Sequence, residues 1–304
     1  MIEEERSAVR TGVTVSSGAA QRRRIIDRIM SGVFIAMLIF AVIPLALLLF
    51  EVVIKGGSVI SLSFLTNLPK PPNTPGGGIA NALEGSLIMV GLGTLISVPI
   101  GVGAGIFFSE WPESKLTPIS SFMNDVLAEF PSIVIGVFVY VLLVLSHVTG
   151  EGQSSLAGAI ALSIIMIPIV ARTTEESLKI VPNSLREASM ALGITRWKTI
   201  IRIVISTGKN GLATGILLAI ARAAGESAPL LLTAYTFSFY YPTTLFQPTQ
   251  ALPVLIFYYG TSPFHDWQAE AWGAALILVV IMLGLNLSVK LIIGRRFSEM
   301  RAEI

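Results

Sequence analysis

Six long apolar runs, separated by polar or Pro/Gly-rich stretches, set the pattern of this 304-residue chain. Each run has about the length that a transmembrane helix needs, roughly 17–25 residues. The pattern therefore predicts an all-α integral membrane protein with six membrane-spanning helices. The predicted spans cover residues 32–54, 86–108, 130–146, 154–171, 211–234 and 271–293.

Two connecting stretches, residues 55–82 and 235–270, are rich in proline. Proline removes a backbone donor and interrupts a helix, so we predict irregular loops there and no further span. The second stretch also carries aromatic residues, from Tyr235 to Tyr259. Aromatic residues at this density are typical of a membrane–water interface, so we predict an aromatic belt.

The composition agrees with a membrane protein and argues against enzymatic sites. Hydrophobic residues make up 53% of the chain, charged residues only 13%, and the mean hydropathy is +0.76, whereas soluble domains carry about 25% charge. With no cysteine and two histidines, neither a thiol nucleophile nor a metal site is predicted. A Gly-x4-Gly-Lys-Ser/Thr phosphate loop is also missing. We therefore expect a membrane protein that is not an enzyme and binds no cofactor itself.

Basic residues give the orientation of the spans. Eighteen of the 21 Lys and Arg residues fall on one side of the predicted topology, two in the outer loops (Lys55 and Lys70), and one, Arg222, inside a span. Loops rich in Lys and Arg stay in the cytoplasm, so both termini are predicted to be cytoplasmic. This asymmetry is a topology signal relative to the membrane lipid, so the net charge of +2 gives no reason to expect a nucleic-acid partner.

One charge pair lies inside the predicted fifth span. Arg222 falls about halfway along it, where an arginine costs roughly 2.5–3.5 kcal/mol to insert. Glu226 lies four residues on, on the same helical face. The pair is then either an internal salt bridge or a switchable charge, with Arg222 free to bind an anion in one state. Gly225 and Pro229 weaken the helix there, which favours the second interpretation.

A charged segment, residues 172–209, separates the fourth and fifth spans and holds seven basic residues. Arg172 opens it at the predicted end of the fourth span, where the residues alone favour an interfacial anchor. Within it, Ser184 and Glu187 have the spacing of a capping box, and Gly193 can supply a left-handed helix stop. The pattern predicts a short helix, Gly193 and a second helix, a docking elbow on the cytoplasmic side. An ordinary capped loop helix is the alternative.

The elbow carries a family resemblance. Glu187-Ala188-Ser189 with Gly193 resembles the EAA-x3-G signature of the permease subunits of ABC importers, although residues 203–206 lack the proline that usually follows. Further motifs resemble, in the same order, those of PstA-type permeases of phosphate importers. They lie at residues 76–82, 131–136, 168–176 and 221–230.

The resemblance implies a fold and a division of the chain. It implies the six-helix type I ABC importer permease fold, with an ABC transmembrane type-1 domain at residues 83–294 and a cytoplasmic coupling helix at about 184–192. Residues 1–28 would form a cytoplasmic tail, residues 29–82 the first helix and its outer loop, and residues 295–304 a second cytoplasmic tail.

The resemblance also implies a function and partners. It implies import of inorganic phosphate, with Arg172 and Arg222 along the translocation pathway, and Glu187, Ala188 and Gly193 coupling to an ATPase. The spacing of the charge pair adds Glu226 to that pathway as the partner of Arg222. The implied partners are a PstC-like permease, two copies of an ATPase subunit that uses ATP, and an external phosphate-binding protein. Alternatives are the sister permease PstC itself, a permease for molybdate or sulfate, and, in a different class, a channel or secondary transporter.

Overall fold

The computed structural model of the protein describes residues 17–148, 152–235 and 238–302. These residues form helices joined by loops, without strands, which confirms the predicted all-α class. Two π-helical turns, Tyr140–Val144 and Ile200–Val204, interrupt the α-helical ladder. The α-helices are α1 (Ser17–Gly57), α2 (Leu62–Thr66), α3 (Ala80–Glu110), α4 (Leu116–Glu129), α5 (Ser132–Val139), α6 (Ser155–Lys179), α7 (Asn183–Ala191), α8 (Arg196–Thr199), α9 (Ile205–Ala224), α10 (Leu230–Thr233), α11 (Leu252–Gly260) and α12 (His265–Ala302).

Five helices in the described part of the chain are long and apolar enough to cross a membrane, and a bent helix pair makes a sixth when counted as one span. This number agrees with the six predicted spans. The five comprise α1, α3, α6, the continuous helix Arg196–Ala224, and α12. The sixth comprises α4, α5 and the π-turn that follows α5.

The third span is the one that differs most from its prediction. The sequence predicts a span over residues 130–146 alone, but the observed span also includes α4, which meets α5 at 101°. Phe130 adopts an extended conformation, φ −62° and ψ 133°, because Pro131 disfavours a helical residue before it. The helix after the break ends at Val144, roughly 20 Å from its start at 1.5 Å per residue. It is therefore too short to cross a hydrocarbon core of about 30 Å alone.

Several other helix bounds differ from the predicted spans. α1 begins at Ser17 and α12 ends at Ala302, so both run into segments predicted as tails. Residues 1–16 and 303–304 lie outside the described residues. α6 continues through Pro168 to Lys179, whereas its predicted end is residue 171. In the opposite sense, α9 ends at Ala224, well before the predicted residue 234.

The chain divides into two compact units, one up to Glu51 and one from Val52 onward. The first is most of the long helix α1, whose described side chains are exposed. In the second, α3 packs along α6, and α6 along α9. Their shared core is apolar and includes Met89, Leu162, Met166, Val170 and Ala219.

Glycine permits the close packing of α3 on α6. A Cβ atom at Gly101 would lie 2.7 Å from Val170, and one at Gly105 would lie 2.5 Å from Thr174. These helices therefore approach as closely as small residues allow. Gly91 and Gly103 of the same helix face open space instead.

The segment 235–270, predicted to lie outside, contains α11 and the first residues of α12. Within its described part no candidate span precedes α12. Its chain covers the N-terminus of α6, where the amide of Leu156 donates to Leu245 at 3.0 Å. Amides at a helix start lack partners within the helix, so these contacts satisfy them. The predicted aromatic belt is wrong for Tyr259, which is buried and stacks on Trp267 with ring centroids 4.5 Å apart.

Cysteine labelling tests the outer placement of this segment, since the chain has no native cysteine. Thr244 is exposed, whereas Thr249 is 1% exposed and its hydroxyl lies 2.6 Å from that of Ser155. We expect Thr244→Cys to react with an impermeant maleimide in right-side-out membrane vesicles and Thr249→Cys to stay unreacted. Labelling of Thr244→Cys in inside-out vesicles alone would contradict the predicted orientation.

Candidate functional site

Arg222 and Glu226 lie where α9 ends. Arg222 is in the last turn of α9, Gly225 is its C-cap, and Glu226 follows in the non-helical turn. The predicted position of Arg222, halfway along a span over residues 211–234, is therefore wrong. Gly225 ends the helix and Pro229, which lacks an amide donor, separates α9 from α10. A positive charge at a helix C-terminus is favoured by the helix dipole, so Arg222 is less costly there than in mid-helix.

The two side chains form the predicted pair. Arg222 Nε lies 3.5 Å from Glu226 Oε1, with the arginine side chain 55% exposed and the carboxylate 18% exposed. This distance exceeds the 2.7–3.2 Å of a good N–H···O hydrogen bond. The pair engages Nε, one of the guanidinium's nitrogens, and a guanidinium carries five N–H donors in all. The arrangement can therefore offer donors to an oxyanion while Glu226 stays within reach.

The turn that carries Glu226 is held from the side by α5. A Cβ atom at Gly136 would lie 2.7 Å from the Cα of Pro229, and both residues are buried. The bend at Pro131 therefore brings α5 directly against the non-helical turn. This close packing holds the turn against α5 at Pro229, three residues after Glu226.

Arg172 does not join this pair. It lies within α6, which continues for two turns beyond it, so the predicted helix end at residue 171 is wrong. Its guanidinium binds Glu175 at 3.1 Å and Glu176 at 3.2 Å on the same helix. Thr173 packs against Gly215 of α9, so Arg222 lies about two turns, roughly 10 Å, farther along α9.

The docking elbow has its predicted exit but not its predicted capping box. The N-cap of α7 is Pro182, without a side-chain cap bond, and Glu187 is exposed. The helix begins two residues earlier than a Ser184 cap requires. At its end, Gly193 has a φ of +80° and its amide donates to Met190 at 2.9 Å. The amide of Ile194 donates to Ser189 at 3.3 Å, which completes a Schellman motif.

The outer face of the elbow is apolar and exposed. Ile180 and Leu192 are each 82% exposed, and Ala188 is exposed beside them. On the inner side, the hydroxyls of Ser189 and Thr199 are buried 2.8 Å apart and join the two arms. Exposed apolar patches of this kind mark interaction sites. Other large apolar residues of the elbow are also exposed, although Trp197 lies against Trp111 as well: Leu185, Met190, Ile194, Trp197 and Ile201.

The sequence gives no signal for one further residue of the elbow, Glu110. It looks like part of a short polar link after the second span, yet it is the last residue of α3 and is buried. Its carboxylate binds Arg186 of α7 at 2.7 Å. The two residues lie 76 positions apart, and no local pattern connects them.

Comparison with known proteins places this arrangement in a family. Residues 97–297 match the family model of the binding-protein-dependent transport system inner membrane component. The phosphate transport system permease protein PstA of Yersinia pestis is 43% identical over 275 residues, covering 90% of this chain and 92% of that protein. PstA 1 of Mycobacterium tuberculosis (strain CDC 1551 / Oshkosh) is 38% identical over 276 residues, covering 89% and 90%.

Solved structures agree on the fold. A structure of the inward-facing MetNI methionine ABC transporter matches 71% of this chain and 94% of its own with a TM-score of 0.57. Its sequence identity is 18%, so this likeness concerns the fold alone. The family model and the two PstA relatives extend over most of the chain. The chain therefore belongs to the family of binding-protein-dependent transport system inner membrane components, and within that family to the PstA permeases.

Proposed function

We propose that this chain is a permease subunit of an ATP-driven importer and moves inorganic phosphate across the cell membrane. The observation that carries the proposal is the 43% identity over 275 residues with a phosphate transport system permease. The spans supply the pathway through the membrane. The basic residues on one side of the topology support cytoplasmic N- and C-termini.

Arg222 is the proposed contact for phosphate in the pathway. A phosphate leaving its binding protein loses hydration and needs a fixed positive charge, and a guanidinium presents planar paired donors to oxyanions. Glu226 is a competitor at 3.5 Å that can reclaim the arginine after the anion has moved on. The competition prevents a trapped anion, since a charge that binds too tightly would hold phosphate and stop transport.

Arg172 is the second proposed charge of the pathway. Its side chain is 51% exposed, similar to the 55% of Arg222. Two carboxylates, Glu175 and Glu176, lie beside its guanidinium and would compete with an anion as Glu226 does. The two arginines would then act one after the other, about 10 Å apart along the helices.

The elbow is the proposed docking site for an ATPase subunit. Its exposed apolar residues fit a groove on a partner, with Glu187 and Ala188 on α7 and Gly193 at its exit. The sequence lacks a phosphate loop, so ATP would be bound and hydrolysed by the partner, present in two copies. A PstC-like permease and an external phosphate-binding protein would complete the importer.

Reconstitution of the purified complex in liposomes tests this function. We expect uptake of labelled phosphate that requires both ATP and the external binding protein, and that excess sulfate or molybdate does not inhibit. Uptake of sulfate or molybdate would assign the chain to another oxyanion. Phosphate flux without the ATPase would instead indicate a channel or secondary transporter.

A further inference from the structure

An ion pair ties the inner side of the elbow to α3. Arg186 of α7 donates from Nη2 to Glu110 Oε1 at 2.7 Å, and from Nε to both carboxylate oxygens at 3.1 and 3.3 Å. Both side chains are largely buried, 15% exposed for the arginine and 5% for the carboxylate. A forked contact of this kind fixes the angle between its partners as well as their distance.

The same arginine also holds the end of α6. Its Nη2 donates to the carbonyl of Leu178 at 3.0 Å, and its Nη1 donates to that of Val181 at 2.5 Å. The carbonyl of Leu178 also accepts the amide of Val181 at 3.2 Å, so Arg186 adds a side-chain contact to the turn that ends α6. One side chain therefore joins three elements: α7, the last residue of α3, and the C-terminal end of α6.

The second arm of the elbow reaches the same point. Arg196 of α8 donates to the backbone carbonyl of Glu110 and lies 4.8 Å from the ring centroid of Trp111. Trp197 of α8 lies 5.3 Å from Trp111 between ring centroids. Both arms of the elbow are therefore anchored where α3 ends.

We infer that Glu110 and Arg186 are positioning residues that transmit movement of the elbow to α3 and α6. The inference rests on the proposed function, in which the elbow docks an ATPase. α7 itself packs on α8 and the second π-turn, and its apolar face points outward. A displacement of α7 therefore reaches α3 and α6 directly through the Arg186 side chain. Because α3 and α6 pack closely, they would move as a pair, and α6 carries Arg172.

Single and double variants in the complete importer test the inference. We expect Arg186→Gln and Glu110→Gln to co-purify with the ATPase, since neither alters the outer face of the elbow. Because breaking a buried ion pair removes its geometry, the maximal uptake rate should fall by about tenfold or more. The KM for phosphate should stay unchanged, and the ATP hydrolysed per phosphate transported should rise.

The double variant and two further substitutions test whether the two residues act as one link. Two residues that form one link should not show additive losses, so the double variant should be no worse than either single one. Arg202→Gln, which removes an exposed arginine nearby, should keep the wild-type ratio of ATP to phosphate. If the Arg186→Gln complex does not assemble, the ratio of ATP to phosphate is measured for Arg186→Lys instead. Lysine keeps the positive charge but loses the forked pair of donors.

Two outcomes would overturn the inference, and they are distinguishable. Assembled Arg186 variants with a wild-type ratio of ATP to phosphate would show that the ion pair transmits nothing. A wild-type chain that does not bind the ATPase at all would contradict the proposed docking elbow, and the inference with it.

Discussion

Replacing Arg222 with glutamine is expected to abolish phosphate uptake while the complex still assembles. The substitution removes the guanidinium that would bind the oxyanion, and each hydrogen bond to a charged group contributes about 1.5–3 kcal/mol. Loss of two such bonds should lower the rate of phosphate uptake by roughly 100-fold or more, since each 1.4 kcal/mol added to the activation barrier lowers the rate tenfold. The side chain is 55% exposed, so the stability of the chain should change by less than about 1 kcal/mol.

Graded substitutions separate charge from geometry at this position. Arg222→Lys keeps the charge but loses the forked donors, so uptake should be impaired and still measurable. Glu226→Gln should alter uptake without preventing assembly, because it removes the competitor and leaves Arg222 uncompensated. Lys209→Gln, at an exposed position near the start of the same helix, is the matched control and should transport normally.

The measurement is uptake of labelled phosphate in cells, with assembly of the complex confirmed separately. An assembled Arg222→Gln complex that transports at the wild-type rate would show that Arg222 is structural. The pair with Glu226 would then be a self-neutralising salt bridge, which is the other interpretation that the sequence allows.

The number of spans follows from apolar run length alone, because burying apolar residues in lipid depends on composition more than on tertiary contacts. Their ends do not. The break at Phe130 follows from Pro131, and the end of α9 follows from Gly225. Both residues are visible in the sequence. Gly225 lies inside the predicted run, which continues to residue 234, whereas Pro131 lies at the edge of its predicted span because α4 carries Asp125 and Glu129. A hydropathy pattern therefore joins helices that local backbone chemistry separates, and Arg222 is predicted in mid-span for this reason.

In the elbow, too, a feature set by one residue can be predicted from the sequence, whereas a contact between distant residues cannot. The left-handed exit at Gly193 is predicted correctly, because only the backbone of that residue decides it. The capping box at Ser184 is wrong because α7 begins at Asn183, with Pro182 as its N-cap. The Glu110–Arg186 ion pair joins residues 76 positions apart, and a single sequence carries no local signal for such a contact.

Replacing Gly193 with valine is expected to detach or uncouple the ATPase. No neighbouring atom lies within 4 Å of a Cβ added at Gly193, so the added volume meets no obstacle. The cost comes from the backbone, since a φ of +80° costs an L-residue about 1–2 kcal/mol and more when it is β-branched. The Schellman motif should then open and turn α8 away from α7.

Asparagine at the same position separates this backbone effect from side-chain size. Asparagine is about as large as valine but adopts the left-handed conformation readily, so Gly193→Asn should keep both ATPase binding and uptake. For Gly193→Val we expect ATP-driven uptake to fall by about tenfold or more. The backbone cost of about 1–2 kcal/mol, and more for a β-branched residue, is comparable to the 1.4 kcal/mol that corresponds to a factor of ten. Co-purification of the ATPase and labelled-phosphate uptake measure the two effects. If both stay at wild-type values in Gly193→Val, the angle of the elbow does not matter for coupling, and α7 is then an ordinary loop helix.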